Sequence, residues 1–135
     1  MIFGIGTDIL EVSRIDKILH KYNQTFVNRI LGYNEIKFLR DKPKNPSVFL
    51  GKRFAAKEAT WKALSPTRGD GLAFKEIEIL NNTNGKPYLF FSGNTNKYIN
   101  NKEKELNNKF IFDISISDEP PYVLAFVVIS LAPLV

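Results

Sequence analysis

Apolar residues recur at two different spacings along the chain, and the spacing changes from segment to segment. Residues 2–12 (IFGIGTDILEV) are mostly β-branched or apolar with two internal glycines, which is typical of a strand packed against another backbone. Residues 13–22 place apolar side chains three and four positions apart, which predicts a short helix capped by Ser13. The same periodicity predicts three more helices, over 24–31, 34–41 and 47–64.

The second half of the chain is mainly extended. Two apolar segments, 74–81 and 86–92, flank the turn sequence NNTNGKP, which indicates a β-hairpin. The polar segment 93–106 is predicted to be helical, and two β-rich segments, 109–117 and 122–130, follow it. Helices concentrated in the first half and antiparallel strands in the second favour an α+β fold.

Composition narrows the classes of function. A chain of 135 residues suits one domain, so we predict a single domain over residues 1–135. The absence of cysteine excludes disulfides, thiol nucleophiles and cysteine-ligated zinc, and one histidine, His20, cannot build a histidine-rich metal cage. The N-terminal segment lacks the basic flank and cleavage site of a signal peptide, and the apolar C-terminal stretch is shorter than a bilayer span. We therefore predict a cytoplasmic location.

The net charge of +5 comes from one segment. Residues 36–62 contain eight Lys and Arg and two acidic residues, so this basic window carries +6 and the remainder of the chain −1. A basic segment of this kind favours a polyanionic partner, such as a nucleic acid, a phosphorylated small molecule or an acidic protein. A solvated lysine-rich surface without a partner is the simpler alternative.

The helix over 47–64 contains most of the candidate functional residues. Its bulky apolar side chains share one arc and its alanines another, with Glu58 and Lys62 between the two arcs. Arg53 and Lys57 fall on the remaining side, which we predict to be solvated. Glu58 and Lys62 are four residues apart, so they form either an ordinary surface ion pair or a partly desolvated functional pair.

Asp8 is the second candidate carboxylate, because it lies in a glycine-flanked strand where a ligand would have open access. A carboxylate beside a phosphate-binding segment needs a cation to reconcile it with the anion. Mg²⁺ typically takes one or two protein carboxylates together with phosphate oxygens and waters. Asp8 and Glu58 with a diphosphate between them would satisfy this rule.

Five segments occur in an order and spacing that together resemble one known family. They are GIGTDILEVSRI (4–15), KRFAAKEATWKAL (52–64), GLAFKEIEI (71–79), NGKPYL (84–89) and SISDEPPYVLAFVVI (115–129). The pairing of G-x-G-x-D-I with F-A-x-K-E-A-x-x-K-A is the most specific feature, and the similarity covers nearly the whole chain. The sequence resembles the holo-[acyl-carrier-protein] synthases, the small bacterial branch of the 4'-phosphopantetheinyl transferase superfamily.

This resemblance implies an α+β enzyme of fatty acid biosynthesis that transfers the 4'-phosphopantetheine group of coenzyme A to a serine of apo-acyl carrier protein. It implies Mg²⁺ as cofactor, release of adenosine 3',5'-bisphosphate, and a homotrimer with active sites at the subunit interfaces. Acyl carrier protein and coenzyme A are then the expected partners, and neither a nucleic acid nor a membrane is expected.

The resemblance also implies roles for individual residues. Asp8 and Glu58 match the family's metal ligands. Glu58 and Lys62 match its catalytic pair, with Lys62 neutralising phosphate charge and Glu58 accepting the serine proton, directly or through a water. The expected coenzyme contacts are Arg53, Lys62, Ser65, Thr67 and Lys86. The expected carrier-protein docking residues, on the first helix, are Arg14, Lys17 and Lys21.

Two positions depart from the family pattern. Ser65-Pro66-Thr67 stands where many members have a Gly-Thr-Gly turn, and Pro66 has no backbone N–H to offer a phosphate. The hydroxyls of Ser65 and Thr67 would supply some of the missing donors. Asp118 stands where other members have a histidine, so no histidine–phosphate contact is expected there.

A non-catalytic binding module is the alternative from a different class of function. Its basic segment would dock RNA or an acidic protein, and it would give no role to Asp8 or Glu58, because carboxylates repel phosphates when no metal is bound. This alternative predicts binding that depends strongly on salt concentration and does not depend on Mg²⁺.

Overall fold

The structure is a computed structural model that describes residues 1–41 and 43–134, so Lys42 of the basic window lies outside the described residues. The elements are β1 (Ile2–Glu11), α1 (Val12–Tyr22), α2 (Gln24–Ile30), α3 (Tyr33–Arg40), α4 (Pro46–Leu64), a 3₁₀ turn (Phe74–Glu76), β2 (Ile77–Asn81), β3 (Pro87–Phe91), α5 (Gly93–Leu106), β4 (Asn108–Glu119) and β5 (Tyr122–Pro133). The predicted α+β class is confirmed. Within the two described ranges, no helix is both long and apolar enough to cross a bilayer.

The strands form two antiparallel sheets. The larger sheet has the strand order β1–β5–β4, and β2 pairs with β3 as a separate hairpin. Helix α4 packs against β1 and β5 on the inner face of the larger sheet. The alanine arc predicted from the helical periodicity is buried there, and its members are Ala55, Ala56, Ala59 and Ala63.

The close approach of β1 to α4 requires glycine. A Cβ atom at Gly4 would lie 2.1 Å from the carbonyl oxygen of Ala63, which is far inside contact distance. Side chains alternate along a strand, so Gly4, Gly6 and Asp8 share one side of β1. The glycines therefore let the strand come near enough to α4 for the Asp8 side chain to meet that helix.

The outer face of the larger sheet exposes large apolar side chains, mainly along β1 and β5. It carries Ile5 and Ile9 of β1, which are each 59 % exposed, together with Leu124 and Phe126 of β5 and Ile111 of β4. The register pairs Ile9 with Leu124, so the apolar side chains of the two strands adjoin. Apolar side chains that are contiguous across strands indicate an interaction surface. We call this surface the outer sheet face.

Two helix starts differ from the sequence prediction. Helix α1 begins at Val12 with Glu11 in the N-cap position, and the Ser13 hydroxyl donates to the Glu11 carboxylate at 3.1 Å, so the predicted Ser13 cap is wrong. Helix α4 begins one residue earlier than predicted, at Pro46, and the Asn45 side chain accepts the N–H of Val48 at 3.1 Å. Proline is favoured in the first turn of a helix because it lacks an N–H that would have no partner there.

The prediction of one strand over 74–81 is wrong at its first three residues. Phe74–Glu76 form a 3₁₀ turn, and β2 begins only at Ile77. The Glu76 carboxylate accepts the backbone N–H groups of Asn94 and Thr95, each at 3.1 Å, at the start of α5. This contact between distant parts of the chain competes with strand geometry at the beginning of the segment.

The predicted solvated side of α4 is also wrong. Lys57 is fully buried and Arg53 is only 8 % exposed. The Lys57 ammonium donates to the Glu35 carboxylate of α3 at 2.6 Å, and the Arg53 guanidinium lies 4.0 Å from the centre of the Phe49 ring. This side of the helix packs against α3 and β2, so two cations of the basic window do not contribute to a surface patch.

Candidate active site

Strand β1 and helix α4 bring Lys62 and Asp8 together. The Lys62 Nζ atom lies 3.5 Å from Asp8 Oδ1 and donates to the carbonyl oxygen of Thr7 at 2.9 Å. The ion pair of Lys62 is thus with the carboxylate of the strand rather than with Glu58 on its own helix. The Lys62 side chain is 54 % exposed and that of Asp8 18 %, so the ammonium remains accessible to an anionic ligand.

Glu58 is the third charged residue beside Asp8 and Lys62. It is half-buried. Burial raises the pKa of Glu58 and the Asp8 carboxylate raises it further, while Lys62 and Arg14 act in the opposite direction. Two carboxylates whose charges interact at a partly desolvated surface form a place where a bound cation would be stabilised.

The donor set fits Mg²⁺. Asp8 and Glu58 offer carboxylate oxygens, and the exposure of Lys62 beside them shows that water and phosphate oxygens have access. Within residues 1–41 and 43–134, Asp, Glu and His do not gather in groups of three or more that could hold a metal ion. Two carboxylates completed by water and substrate oxygens are the usual arrangement for Mg²⁺ at a phosphate-binding site.

The three predicted docking residues lie on α1. Arg14, Lys17 and Lys21 are all exposed, and their spacing of three and four residues places them on one side of the helix. The charge of Arg14 lowers the pKa of Glu58, so the row begins near that carboxylate. We call these three residues the basic row of α1.

Ser65 and Thr67 line an open cavity of about 740 Å³ at the C-terminal end of α4. Its opposite wall is the polar side of α5, which includes Tyr98. The Ser65 hydroxyl donates to the carbonyl oxygen of Lys62 at 3.2 Å. The N–H and hydroxyl of Thr67 donate to Asp70 at 2.7 and 2.9 Å, so a phosphate would have to compete with this carboxylate for both donors.

Arg53 and Lys86 lie away from the cavity at the end of α4. Arg53 borders a second cavity, of about 170 Å³, which is also lined by Gly85 and Pro87 on either side of Lys86. An Arg53 Nη atom donates to Asn81 at 3.2 Å, whereas its buried Nε has no hydrogen-bond partner in the described part of the chain. Neither residue lines the cavity at the end of α4. A single chain therefore does not gather all the predicted coenzyme contacts in one cavity.

Asp118, at the position of the family histidine, forms an ion pair with Lys52 at 3.3 Å, and both side chains are partly exposed. Lys52 lines the same cavity as Arg53. The acidic residue therefore offsets a positive charge at the rim of that cavity, where a histidine would add a donor.

Phe74 is a further residue beside the site that the sequence did not indicate. Its ring lies 5.9 Å from the Phe54 ring and 5.7 Å from the Trp61 ring, in edge-to-face contact with both. The helical periodicity places Phe54 and Trp61 on one arc of α4. No local spacing connects Phe74 to that arc, because the contact depends on where the chain returns after α4.

Comparisons with known proteins confirm the resemblance drawn from the motifs. The sequence profile of the 4'-phosphopantetheinyl transferase superfamily matches residues 4–126. The holo-[acyl-carrier-protein] synthase of Orientia tsutsugamushi (strain Boryong) is 42 % identical over 131 residues, which cover 96 % of this chain and 98 % of that protein. The crystal structure of the holo-[acyl-carrier-protein] synthase from Neisseria meningitidis matches with a TM-score of 0.84 at 38 % identity, covering 96 % of this chain and 99 % of that chain. The Bacillus anthracis holo-(acyl-carrier-protein) synthase, solved in complex with CoA (3',5'-ADP), matches with a TM-score of 0.75 at 35 % identity over 98 % of both chains. This chain therefore belongs to the holo-[acyl-carrier-protein] synthase family of the 4'-phosphopantetheinyl transferase superfamily.

Proposed function

We propose that this chain transfers the 4'-phosphopantetheine group of coenzyme A to a serine of apo-acyl carrier protein, with Mg²⁺, as a cytoplasmic step of fatty acid biosynthesis. The observation that carries the proposal is the grouping of Asp8, Glu58 and Lys62 between β1 and α4. The coenzyme bound to the Bacillus anthracis relative supports coenzyme A as the donor. A basic module for RNA or an acidic protein is not favoured, because it gives the two carboxylates no role.

In the proposed reaction the serine oxygen of the carrier protein forms a bond to the β-phosphorus of the coenzyme. The bond from that phosphorus to the bridging oxygen breaks, and adenosine 3',5'-bisphosphate leaves with the oxygen. Lys62 presents an exposed ammonium beside Asp8, where it would stabilise the negative charge that develops on the phosphates. Glu58 accepts the serine proton, directly or through a water, because its carboxylate belongs to the group formed with Asp8 and Lys62 where the phosphate would bind.

Asp8 and Glu58 are the residues that would hold Mg²⁺. The ion, when bound, would neutralise charge on the diphosphate of the coenzyme. The contribution of the chain is to fix the two carboxylates relative to each other. Asp8 is held close to α4 by the glycine-rich strand, and Glu58 is held by a helix whose neighbouring alanines are buried against the sheet.

The basic row of α1 would bind the acidic surface of the carrier protein. Opposite charges steer two proteins together and fix their orientation, mainly through the rate of association. Because the charge of Arg14 acts on Glu58, a carrier docked along α1 would present its serine near the carboxylate pair.

A homotrimer would complete the coenzyme site. In one chain Arg53 lines one cavity together with Gly85 and Pro87, the neighbours of Lys86, and Ser65 and Thr67 line another. A coenzyme bound between two chains would contact both sets, one from each chain. The outer sheet face supports such an assembly, because it leaves large apolar side chains exposed in one contiguous surface.

The test is mass spectrometry of an apo-carrier protein incubated with this chain, coenzyme A and Mg²⁺. We expect the carrier to gain one phosphopantetheine group and adenosine 3',5'-bisphosphate to appear in equal amount. A carrier whose acceptor serine is replaced by alanine is the control and should gain nothing. An unchanged carrier mass, combined with salt-dependent RNA binding that ignores Mg²⁺, would favour the binding module instead.

A further inference from the structure

Lys57 is a fully buried cation that the proposed reaction does not use. It follows Ala56 and precedes Glu58 on α4, about 100° around the helix from that carboxylate. Its ammonium donates to the Glu35 carboxylate at 2.6 Å, to the carbonyl oxygen of Phe74 at 2.9 Å and to that of Ile77. An ammonium has three N–H donors, so each of them has a partner.

Glu35 also has backbone hydrogen-bond partners. Its carboxylate also accepts the N–H of Gly32 at the start of α3 and the N–H of Ile79 in β2, each at 3.0 Å. A buried ion pair whose remaining donors and acceptors are satisfied holds the segments it joins in one arrangement. Here it joins α3, α4 and the segment 74–79.

The segment that Lys57 holds carries Phe74 to the side of α4. The Phe74 ring packs edge-on against Phe54 at 5.9 Å and against Trp61 at 5.7 Å. Phe54 is four residues before Glu58 and Trp61 is three residues after it, so both rings flank Glu58 on the same side of the helix. We call Phe54, Trp61 and Phe74 the aromatic wall.

We propose that Lys57 is a positioning residue for the transfer reaction: it holds Phe74 in the aromatic wall, and the wall fixes the orientation of Glu58 toward the substrate. The inference rests on the proposed function. Lys57 is buried and acts at a distance, through the carbonyl oxygens of Phe74 and Ile77. Without those two hydrogen bonds the carbonyl groups would turn toward water, and the wall beside Glu58 would open.

The test needs a variant that removes the hydrogen bonds and still folds. Lys57→Met alone would leave the Glu35 carboxylate buried without its cation, which is strongly destabilising. We therefore combine it with Glu35→Gln, which keeps an oxygen for a backbone N–H and removes the negative charge of the pair together with the positive one. Phe74→Leu is the second variant, since it keeps the apolar bulk and removes the ring without touching the ion pair.

Two readouts report on the wall itself. Trp61 is the single tryptophan of the chain, so its fluorescence should shift to longer wavelength in both variants as water reaches it. We expect kcat to fall about tenfold to a hundredfold, because a displaced catalytic group loses alignment, while the KM values for coenzyme A and carrier protein stay within about twofold. If Lys57 acts through Phe74, combining all three substitutions should lower kcat no further than the more damaging variant does.

Glu103→Gln is the matched control. Glu103 is also a buried carboxylate that anchors backbone, accepting the N–H of Phe110 at 2.8 Å between α5 and β4, away from the aromatic wall. It should lower the melting temperature and leave kcat and the Trp61 emission unchanged.

A folded Lys57→Met/Glu35→Gln variant with wild-type kcat, or strictly additive losses with Phe74→Leu, would overturn the inference. If the double variant does not fold, wild-type kcat in Phe74→Leu overturns it. A wild-type chain that transfers nothing would instead reject the proposed function, and the emission shift would still test the wall.

Discussion

A Cβ atom on Gly6 would lie 1.9 Å from the carbonyl oxygen of Ala59 and 2.8 Å from the backbone nitrogen of Ala63. Both are backbone atoms of α4, so neither can turn aside as the end of a side chain can. The separation of β1 from α4 is therefore set by the missing side chain of Gly6. Because Asp8 follows two residues later on the same side of β1, the position of Asp8 beside Lys62 depends on that separation.

Gly6→Ala should destabilise the fold by about 2 kcal/mol or more, because the strand must move away from the helix to make room. It should also lower activity in the protein that remains folded, since Asp8 moves with the strand. Gly51→Ala is the control: its Cβ would meet Leu10 and Val123 at an ordinary 3.5 Å, and alanine is favoured in a helix by about 0.5–1 kcal/mol. Thermal melting should show a loss for the first variant and a small gain for the second.

Lys62→Met separates a catalytic role from an ordinary ion pair. The exposed pair with Asp8 should contribute at most about 1 kcal/mol to stability, so the melting temperature should hardly change. If Lys62 stabilises charge on the phosphates, kcat should fall about a hundredfold or more at saturating Mg²⁺. Lys109→Met, which removes an exposed cation paired with Glu103, should leave kcat unchanged. A Lys62→Met variant that keeps more than about half of the wild-type kcat would exclude the catalytic assignment.

Glu58→Gln gives a prediction about pH. The folded-state pKa of Glu58 is raised above the ordinary 4.5 by burial and by Asp8. The neutral carboxyl is thus favoured in the folded chain, and this stabilisation is present below pH 4.5 and is lost as the pH rises through the raised pKa. Without Mg²⁺, Glu58→Gln should therefore raise the melting temperature at neutral pH, and the gain should shrink as the pH falls toward 4.5. Added Mg²⁺ should raise the melting temperature of the wild-type chain more than that of the variant. Equal responses would contradict the metal site.

Charge reversal along α1 tests carrier docking. Replacing Arg14, Lys17 and Lys21 by glutamate should raise the KM for carrier protein about tenfold or more, because steering charges act on association. The KM for coenzyme A should change much less. Reversal of Lys75, Lys104 and Lys109, which lie on the 3₁₀ turn, α5 and β4, keeps the same change in net charge and serves as control. An equal rise in both KM values would argue against α1 as the docking surface.

The sequence predicted those features that depend on local spacing. The helical spacing of α4 correctly grouped the alanines, which are buried, on one arc and set Glu58 and Lys62 apart from them, and NNTNGKP correctly predicted the hairpin. The starts of α1 and α4 differed for local reasons, whereas the larger failures depend on contacts between distant segments. Lys57 was predicted to be solvated because its side chain is charged. It is buried instead, because Glu35 and two carbonyl groups of the segment after α4 accept its three N–H groups.

The partner of Lys62 illustrates the same limit within the candidate site. Spacing on the helix suggested Glu58, four residues earlier, whereas the ammonium lies 3.5 Å from Asp8 on a strand 54 positions earlier in the chain. Helical periodicity specifies which side chains share a face, but it does not specify what lies opposite that face. The resemblance to a family supplied Asp8 and Lys62 as members of one site without stating that they pair.

Mixed trimers test whether the coenzyme site is composed of residues from two neighbouring chains. One chain carries Asp8→Ala, and a second, differently tagged chain carries Arg53→Gln with Lys86→Ala. Each variant alone should be inactive. If the site joins Asp8, Glu58 and Lys62 of one chain to Arg53 and Lys86 of its neighbour, co-expression should restore activity, because about a quarter of randomly formed interfaces would contain no substituted residue.

Co-expression of Asp8→Ala with Glu58→Gln is the control for this experiment. Both positions belong to the same half of the composite site, between β1 and α4 of one chain, so every interface would contain a defective half and no activity should return.

Purification through both tags shows that mixed assemblies form, and melting curves show that Arg53→Gln, at a buried position, is folded. Recovery in the control would mean that Asp8 and Glu58 come from different chains. Failure of the first pair, with mixed trimers present, would mean that Arg53 and Lys86 serve the site of their own chain. Ile9→Lys on the outer sheet face, which is 59 % exposed in the single chain, should abolish both the trimer and the recovered activity.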